Sequence, residues 1–368
     1  MQPDRHHALN LMTATTHGDS ALRRSPESPA DEALSYGALL SQFPPDNRTA
    51  VWQLAVTGSS FVAMWVVCAT ALSSGVSIAY TLPLQIVAAG LLVRLFMLQH
   101  DCGHGSLFKQ RWLNDLVGRS IGVLTLTPYD QWRSGHAFHH ANNGNLDRRG
   151  VGDIHFLTVE EYCTLSKWRR WGYRLYRNPS IFFGIGPIYL FVLKHRLPVR
   201  GPDGRRRFRS VMLTNISVLV LLLCLDAMVG TQTLVLTQLP ITYLASVFGV
   251  WIFYVQHQFD GVQYTRRPAW NFRDGALQGS SLYILPPVLN WFTADIGVHH
   301  LHHLCSKIPN YRLQACLKRF PRLAEVTRFG LRESFGTIWL VLWDEHERRL
   351  ISFRELESIR HGPKLQAP

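Results

Sequence analysis

The chain has 368 residues, 47% of them hydrophobic and only 17% charged, a charged share too low for an ordinary soluble enzyme. A formal net charge of +13 fits either nucleic acid or a membrane face bearing anionic lipid. Basic residues concentrate in KHRLPVRGPDGRRRFR, residues 194 to 209, directly before an apolar run and without any nucleic-acid motif, which argues against a nucleic-acid partner.

In chain order, residues 1 to 45 are polar and irregular and lack the apolar core of a signal peptide. They are expected to be a disordered cytoplasmic tail, with His6, His7 and His17 solvated. Two runs of roughly bilayer-crossing length follow, at about 51–72 and 78–98, joined by SSGVS. A second pair spans about 211–230 and 234–256, joined by GTQT. Short links make each pair a helical hairpin. The Lys/Arg-rich loop between the hairpins belongs on the cytoplasmic side, so both hairpins point outward and both termini lie inside. Three shorter runs, 116–128, 181–193 and 281–292, are broken by Gly, Pro or Arg and are expected as helices lying in the membrane interface or dipping partway into it. From Lys307 the composition returns to that of a soluble segment, and RESFGTIWLVLWDEHERRLISFRELESI predicts one or two amphipathic helices. The division is a tail (1–45), a membrane domain (46–320) and a C-terminal cytoplasmic helical segment (321–368). Six cysteines include no CxxC pair and two lie inside apolar runs, so neither a disulfide framework nor a zinc ribbon is indicated.

The histidines fall at the ends of these spans. HDCGH places His100 and His104 four apart, just beyond the second span. HAFHH gives His136, His139 and His140, and HHLHH repeats the spacing as His299, His302 and His303. His257, in YVQHQFD, follows the fourth span. On a helix, positions i, i+3 and i+4 share a face, so each box aims its rings at one point; His300 is out of step. Two full spans separate His140 from His257 and none separates the other groups, so all nine emerge on one side of the bilayer.

One HxxHH can arise by chance, but two with an HxxxH point to metal. Nitrogen ligands suit Zn, Cu, Fe and Ni alike. A zinc hydrolase of the HExxH kind is excluded, and the ExxH pairs of soluble di-iron bundles are absent. Nine imidazoles exceed one coordination shell and suit two ions. The expected fold is therefore an all-α integral membrane protein: four transmembrane helices as two hairpins, interfacial helices, and a cytoplasmic helical cap holding a histidine-rich di-metal site.

HDCGHGSLF, WRSGHAFHH, HHANNGNLDRRGVGDI, TVEEY, YVQHQF and NWFTADIGVHHLHHLCSKIPNYRL together resemble the histidine boxes and flanks of membrane fatty acid desaturases, nearest to the omega-6 (delta-12) acyl type. The similarity covers about residues 50 to 320. It implies two non-haem iron ions, O₂ as co-substrate and an acyl lipid, acyl-CoA or acyl-carrier substrate. It carries the ligand role onto His100, His104, His136, His139, His140, His299, His302 and His303, with His257 in the place of the family's extra histidine. Related hydroxylases, epoxygenases, acetylenases and carotenoid ketolases share such boxes. A metal transporter or sensor would need ligands within the spans rather than past their ends.

Electrons must come from a separate ferredoxin or cytochrome, because no rubredoxin-like CxxC pairs, HPGG haem segment or GxGxxG loop is present. The absence of a fused cytochrome or a retention signal favours a bacterial cytoplasmic membrane. Asp101, Asp153, Asp260 and Asp295 lie near the boxes. Asp295, four residues before His299, is the candidate to orient a ligand ring by accepting its outer N–H. Arg94, within the second span, is expected to snorkel to the interface or to meet a lipid anion. Trp132, Trp168, Trp171 and Trp291 are expected as interfacial aromatics.

Overall fold

The computed structural model describes residues 36–201 and 203–361; residues 1–35 of the expected tail, including His6, His7 and His17, lie outside the described residues, and its last part is ordered instead, a helix at Tyr36–Gln42 with Leu39 and Phe43 buried against the cap. Among the described residues, four helices are long and apolar enough to cross a membrane: α1 (Asn47–Ser73), α2 (Ile78–His104), α6 (Gly204–Val229) and α7 (Thr231–His257). Asp46 caps α1, accepting from the Thr49 amide at 2.9 Å. Ser77 caps α2, and α2 ends at Gly105 in the left-handed region, φ 67°. Gly230, φ 79°, is the single residue between α6 and α7, a conformation that suits glycine. The spans therefore form two hairpins, as the short links require. Of the four, α2 is the most deeply buried, packed between α1 and α7, so it is the central post.

At 27 residues α2 exceeds the roughly 20 that a bilayer needs. The surplus carries His100 and His104 beyond the apolar stretch on the same rigid helix. α7 likewise ends on His257. Between the hairpins lie α3 (Arg111–Leu124), α4 (Tyr129–Asn142) and α5 (Lys167–Tyr176). α3 is amphipathic: Gly118 and Ile121 are buried while Trp112 and Leu116 are exposed. α3 and α4 pack closely because residue 118 is glycine; a Cβ there would stand 2.2 Å from the Tyr129 ring. The Tyr129 hydroxyl donates to the Cys102 carbonyl at 2.7 Å and pins α4 to the last turns of α2. Asp130 accepts from Arg119 of α3 at 3.1 Å and from Arg206 of α6 at 2.6 Å, tying three helices together.

Run 181–193 is helical as expected, with two π-helical turns, Ser180–Ile185 and Tyr189–Leu193, flanking Gly186–Ile188. Ile185, Ile188, Tyr189 and Leu193 are exposed along it. Run 281–292 is only half helical. Leu282–Ile284 form β2, paired parallel with β3 (Arg328–Gly330), and Pro286 and Pro287 then divide it from α9 (Pro287–Phe292). The proline pair cannot continue a strand or a preceding helix, which an apolar count alone does not weigh.

The segment from Arg332 departs further from expectation. Among its described residues only α11 (Phe353–His361) is a helix of any length; LWDEHERRLI is a hairpin of β4 (Leu342–Asp344) and β5 (Arg349–Ile351). Its Leu, Trp and Ile positions alternate faces around a polar turn that includes Arg348 at φ 52°. β4 also pairs parallel with β1 (Leu157–Thr158), so the C-terminal segment packs into the layer above the spans.

Candidate metal centre

Four elements deliver the histidines. α2 presents His100 and His104 one turn apart; α4 presents His136, His139 and His140; α7 ends on His257; and α10 (His299–Leu304) presents His299, His302 and His303. α8 (Phe272–Gln278), packed on α10 and α4, closes the cap. All nine rings meet. His300 alone turns away: fully buried, its ring sits beside the carbonyls of Ser281 and Leu323, outside the cluster.

The cluster has two lobes. His100, His104, His136, His140 and His302 each bring one nitrogen, all within 4.8 Å of one another. His139, His257 and His303 form a second such set. His299 joins the second lobe, its Nε2 standing 3.0 Å from His257 Nε2 and 3.2 Å from His303 Nε2. The lobes abut where the His140 and His303 rings stack, centroids 4.0 Å apart.

The arrangement suits a cation rather than a hydrogen-bonded network. Burial, then the neighbouring imidazoles, holds His136, His140, His299, His302 and His303 well below the ordinary histidine range, so these rings are neutral near pH 7. Asp153 Oδ1 stands 3.2 Å from His139 Nδ1, and the Gly279 carbonyl stands 3.2 Å from His257 Nδ1. Those acceptors orient both rings through Nδ1 and turn both Nε2 atoms into the second lobe, where they face each other at 3.1 Å. With each proton on Nδ1, the two Nε2 lone pairs would point into one gap, the arrangement that suits a bound cation. The donor sets hold nitrogen alone, which fits Fe, Zn, Cu or Ni.

Asp101 and Asp153 are the carboxylates that reach ligand-candidate rings, at 3.4 Å from His100 Nδ1 and 3.2 Å from His139 Nδ1. Asp295 is not placed as expected. Residues 293–297 form a turn, with Asp295 at φ 57°, and α10 starts only at His299, so the four-residue spacing puts them on no common helical face. The Asp295 carboxylate instead accepts from Asn290 Nδ2 and from Gln314. The Gly279 carbonyl, which meets His257, carries no sequence signal at all.

Arg94 also has a different environment. It is buried, donates to Thr57 Oγ1 at 3.1 Å and to the Trp291 carbonyl, and stacks 4.3 Å over the Trp291 ring. The side chain is buried and two of its three nitrogens are met inside the protein, so it neither snorkels nor points to lipid. Trp168 and Trp171 are exposed as expected of interfacial residues. Trp132 is not among them: its indole stacks on the His136 ring at 4.6 Å. Glycine at 103 makes room for it, since a Cβ there would meet the indole at 2.7 Å.

A family model described as fatty acid desaturase matches residues 77–332, which hold all nine histidines. The chain belongs to the fatty acid desaturase family. This desaturase is 40% identical over 315 residues to a fatty acid desaturase of Bacillus subtilis, covering 86% of this chain and 89% of the relative. It is 30% identical over 276 residues to an sn-1 acyl-lipid omega-3 desaturase (ferredoxin) of Synechocystis, covering 71% and 73%. An sn-1 oleoyl-lipid 12-desaturase of Anabaena variabilis is 26% identical over 245 residues, covering 64% and 67%. The resemblance in the histidine boxes is thus borne out: the chain is an oxidoreductase of the acyl-desaturating class, on a helical membrane scaffold.

Proposed function

We propose that this desaturase places a cis double bond at position 12 of an oleoyl-type chain carried on a membrane lipid, at two iron ions held by the nine histidines. His100, His104, His136, His140 and His302 would hold one ion, and His139, His257, His299 and His303 the other. The observation that carries this reading is the pair of buried nitrogen-only sets meeting at the His140–His303 stack. When bound, the iron pair supplies the O₂ activation needed to break an unactivated C–H bond. The protein's part is positional. Asp101, Asp153 and the Gly279 carbonyl fix ring orientation through Nδ1, and burial keeps bulk water from the reacting carbons.

Removing two hydrogens while O₂ becomes two waters consumes two electrons and two protons from outside. The Synechocystis relative is named as a ferredoxin-type enzyme, which supports a ferredoxin as the electron source. Lipid-linked substrates of the relatives support an acyl lipid over acyl-CoA or an acyl carrier. The Lys/Arg-rich loop at 194–209 supports a cytoplasmic active site in a bacterial inner membrane. The membrane domain of 46–320 is then the catalytic unit.

The test is expression in a host lacking polyunsaturated fatty acids, beside His302→Ala, with total acids derivatised for gas chromatography–mass spectrometry. The expected result is an 18-carbon dienoic acid unsaturated at position 12, absent from the variant. A hydroxy or epoxy acid instead would overturn desaturation. A double bond at the omega-3 or another position would overturn the regiochemistry alone.

A further inference from the structure

Eight of the nine clustered histidines are buried, whereas His104 is only half-buried, so the cluster comes nearest to solvent there. His104 is the last residue of α2, and the exposed Lys307 donates from Nζ to its carbonyl at 2.6 Å. Gly105 permits this approach, since a Cβ there would lie 3.3 Å from Lys307 Nζ. Arg111, exposed at the start of α3, and Arg133 of α4 stand close enough to Lys307 to repel its ammonium. Asp115 holds Arg133 in place at 2.8 Å. A cation on a helix C-terminal carbonyl accounts for Lys307 alone. The Asp115 pair accounts for Arg133, but neither contact gives a reason for the exposed Arg111 to stand against that repulsion beside the one clustered histidine that reaches the surface.

We propose that this face docks an acidic one-electron carrier of the [2Fe–2S] ferredoxin class, with His104 as the point of electron entry. The inference rests on reading the cluster as the iron centre. Each docking oxidises one carrier cluster and delivers one electron; two dockings and two solvent protons serve one turnover. A partner that must arrive and leave twice per turnover needs fast, weak encounter, which charge steering provides. A lipid phosphate is the other anion such a face fits. Carbon 12 of an extended chain lies about 15 Å from its head group, half the hydrocarbon thickness of a bilayer. Lys307, by contrast, touches the very residue that carries a ring of the cluster. A head group held there would put carbon 12 far from the centre.

The experiment uses the full chain loaded with iron, with Arg111→Glu and Lys307→Gln as separate variants and iron content measured first. Iron reduction is followed by stopped flow, driven either by a reduced plant-type [2Fe–2S] ferredoxin or by reduced methyl viologen, at low and high salt. The expected result is a loss of about tenfold or more in ferredoxin-driven reduction at low salt, with a flatter salt dependence. Viologen-driven reduction should stay within about twofold, which separates docking from damage to the centre. Unchanged ferredoxin rates in both variants overturn the proposal. So does an unchanged ferredoxin rate with a raised KM for lipid in vesicles, which would assign the face to a head group. A wild-type chain that binds no iron removes the underlying reading, and the inference with it.

Discussion

The contact between Asp153 and His139 shows how much rests on single atoms at this site. The carboxylate meets Nδ1 and orients the ring so that Nε2 is aimed into the second lobe. Asp153→Ala should lower iron affinity or activity by about 10–100-fold, measured by metal analysis after dialysis against a graded chelator. Asp295→Asn should leave iron content unchanged, because its carboxylate meets Asn290 and Gln314 rather than a histidine. The nine ring positions are legible in the sequence because helical spacing converts HxxHH and HxxxH directly into geometry. The groups supporting those rings are only partly so. Asp101 and Asp153 stand next to boxes, but the Gly279 carbonyl and the Trp132 indole arrive from chain folding that no local spacing encodes. The expectation for Asp295 fails for the same reason: it carries helical periodicity four residues back across a left-handed turn that delays the helix start to His299.

At the scale of elements, the site depends on how α3 and α4 are clamped to α2. Gly118→Ala would drive a methyl group into the Tyr129 ring and loosen its bond to the Cys102 carbonyl. Thermal unfolding in detergent should show a loss of about 1–3 kcal/mol, the usual cost of overpacking. Asp130 supplies the second clamp. Burial alone would raise its pKa, but hydrogen bonds from Arg119 and Arg206 outweigh it and the carboxyl titrates below its ordinary value. A depressed folded pKa contributes stability above about pH 4, and that contribution is lost as pH falls through the folded value. Asp130→Asn should therefore cost about 1–2 kcal/mol at pH 7 and progressively less as the pH is lowered below about 4, read from parallel melts. The long spans are legible because an apolar run of about 20 residues matches the thickness of a bilayer and exceeds what an ordinary buried strand or core helix needs. The β2 strand and the β4–β5 hairpin are not, because short apolar runs are shared by strands and helices, and the partners of β2 and β4 include strands far away in sequence.

The whole molecule reads as two hairpins whose inner ends are extended into a metal-binding cap. α2 does most of this work, running from the membrane straight into the cluster. Burial and neighbouring imidazoles hold His136, His140, His299, His302 and His303 well below the ordinary histidine range, so the cap crowds neutral rings that a bound ion would gather as ligands. Iron removal should accordingly lower the melting temperature, with about 2.7 kcal/mol returned at a free iron concentration 100 times its Kd. The measurement that bears most directly on the central claim is the metal content of the purified full chain, by plasma mass spectrometry with Mössbauer spectra of iron-57-grown protein. Two irons per chain, in nitrogen-rich sites and lost together in His140→Ala, is the expected result. A single zinc ion, or one iron per chain in a fully active preparation, would contradict the two-lobed centre.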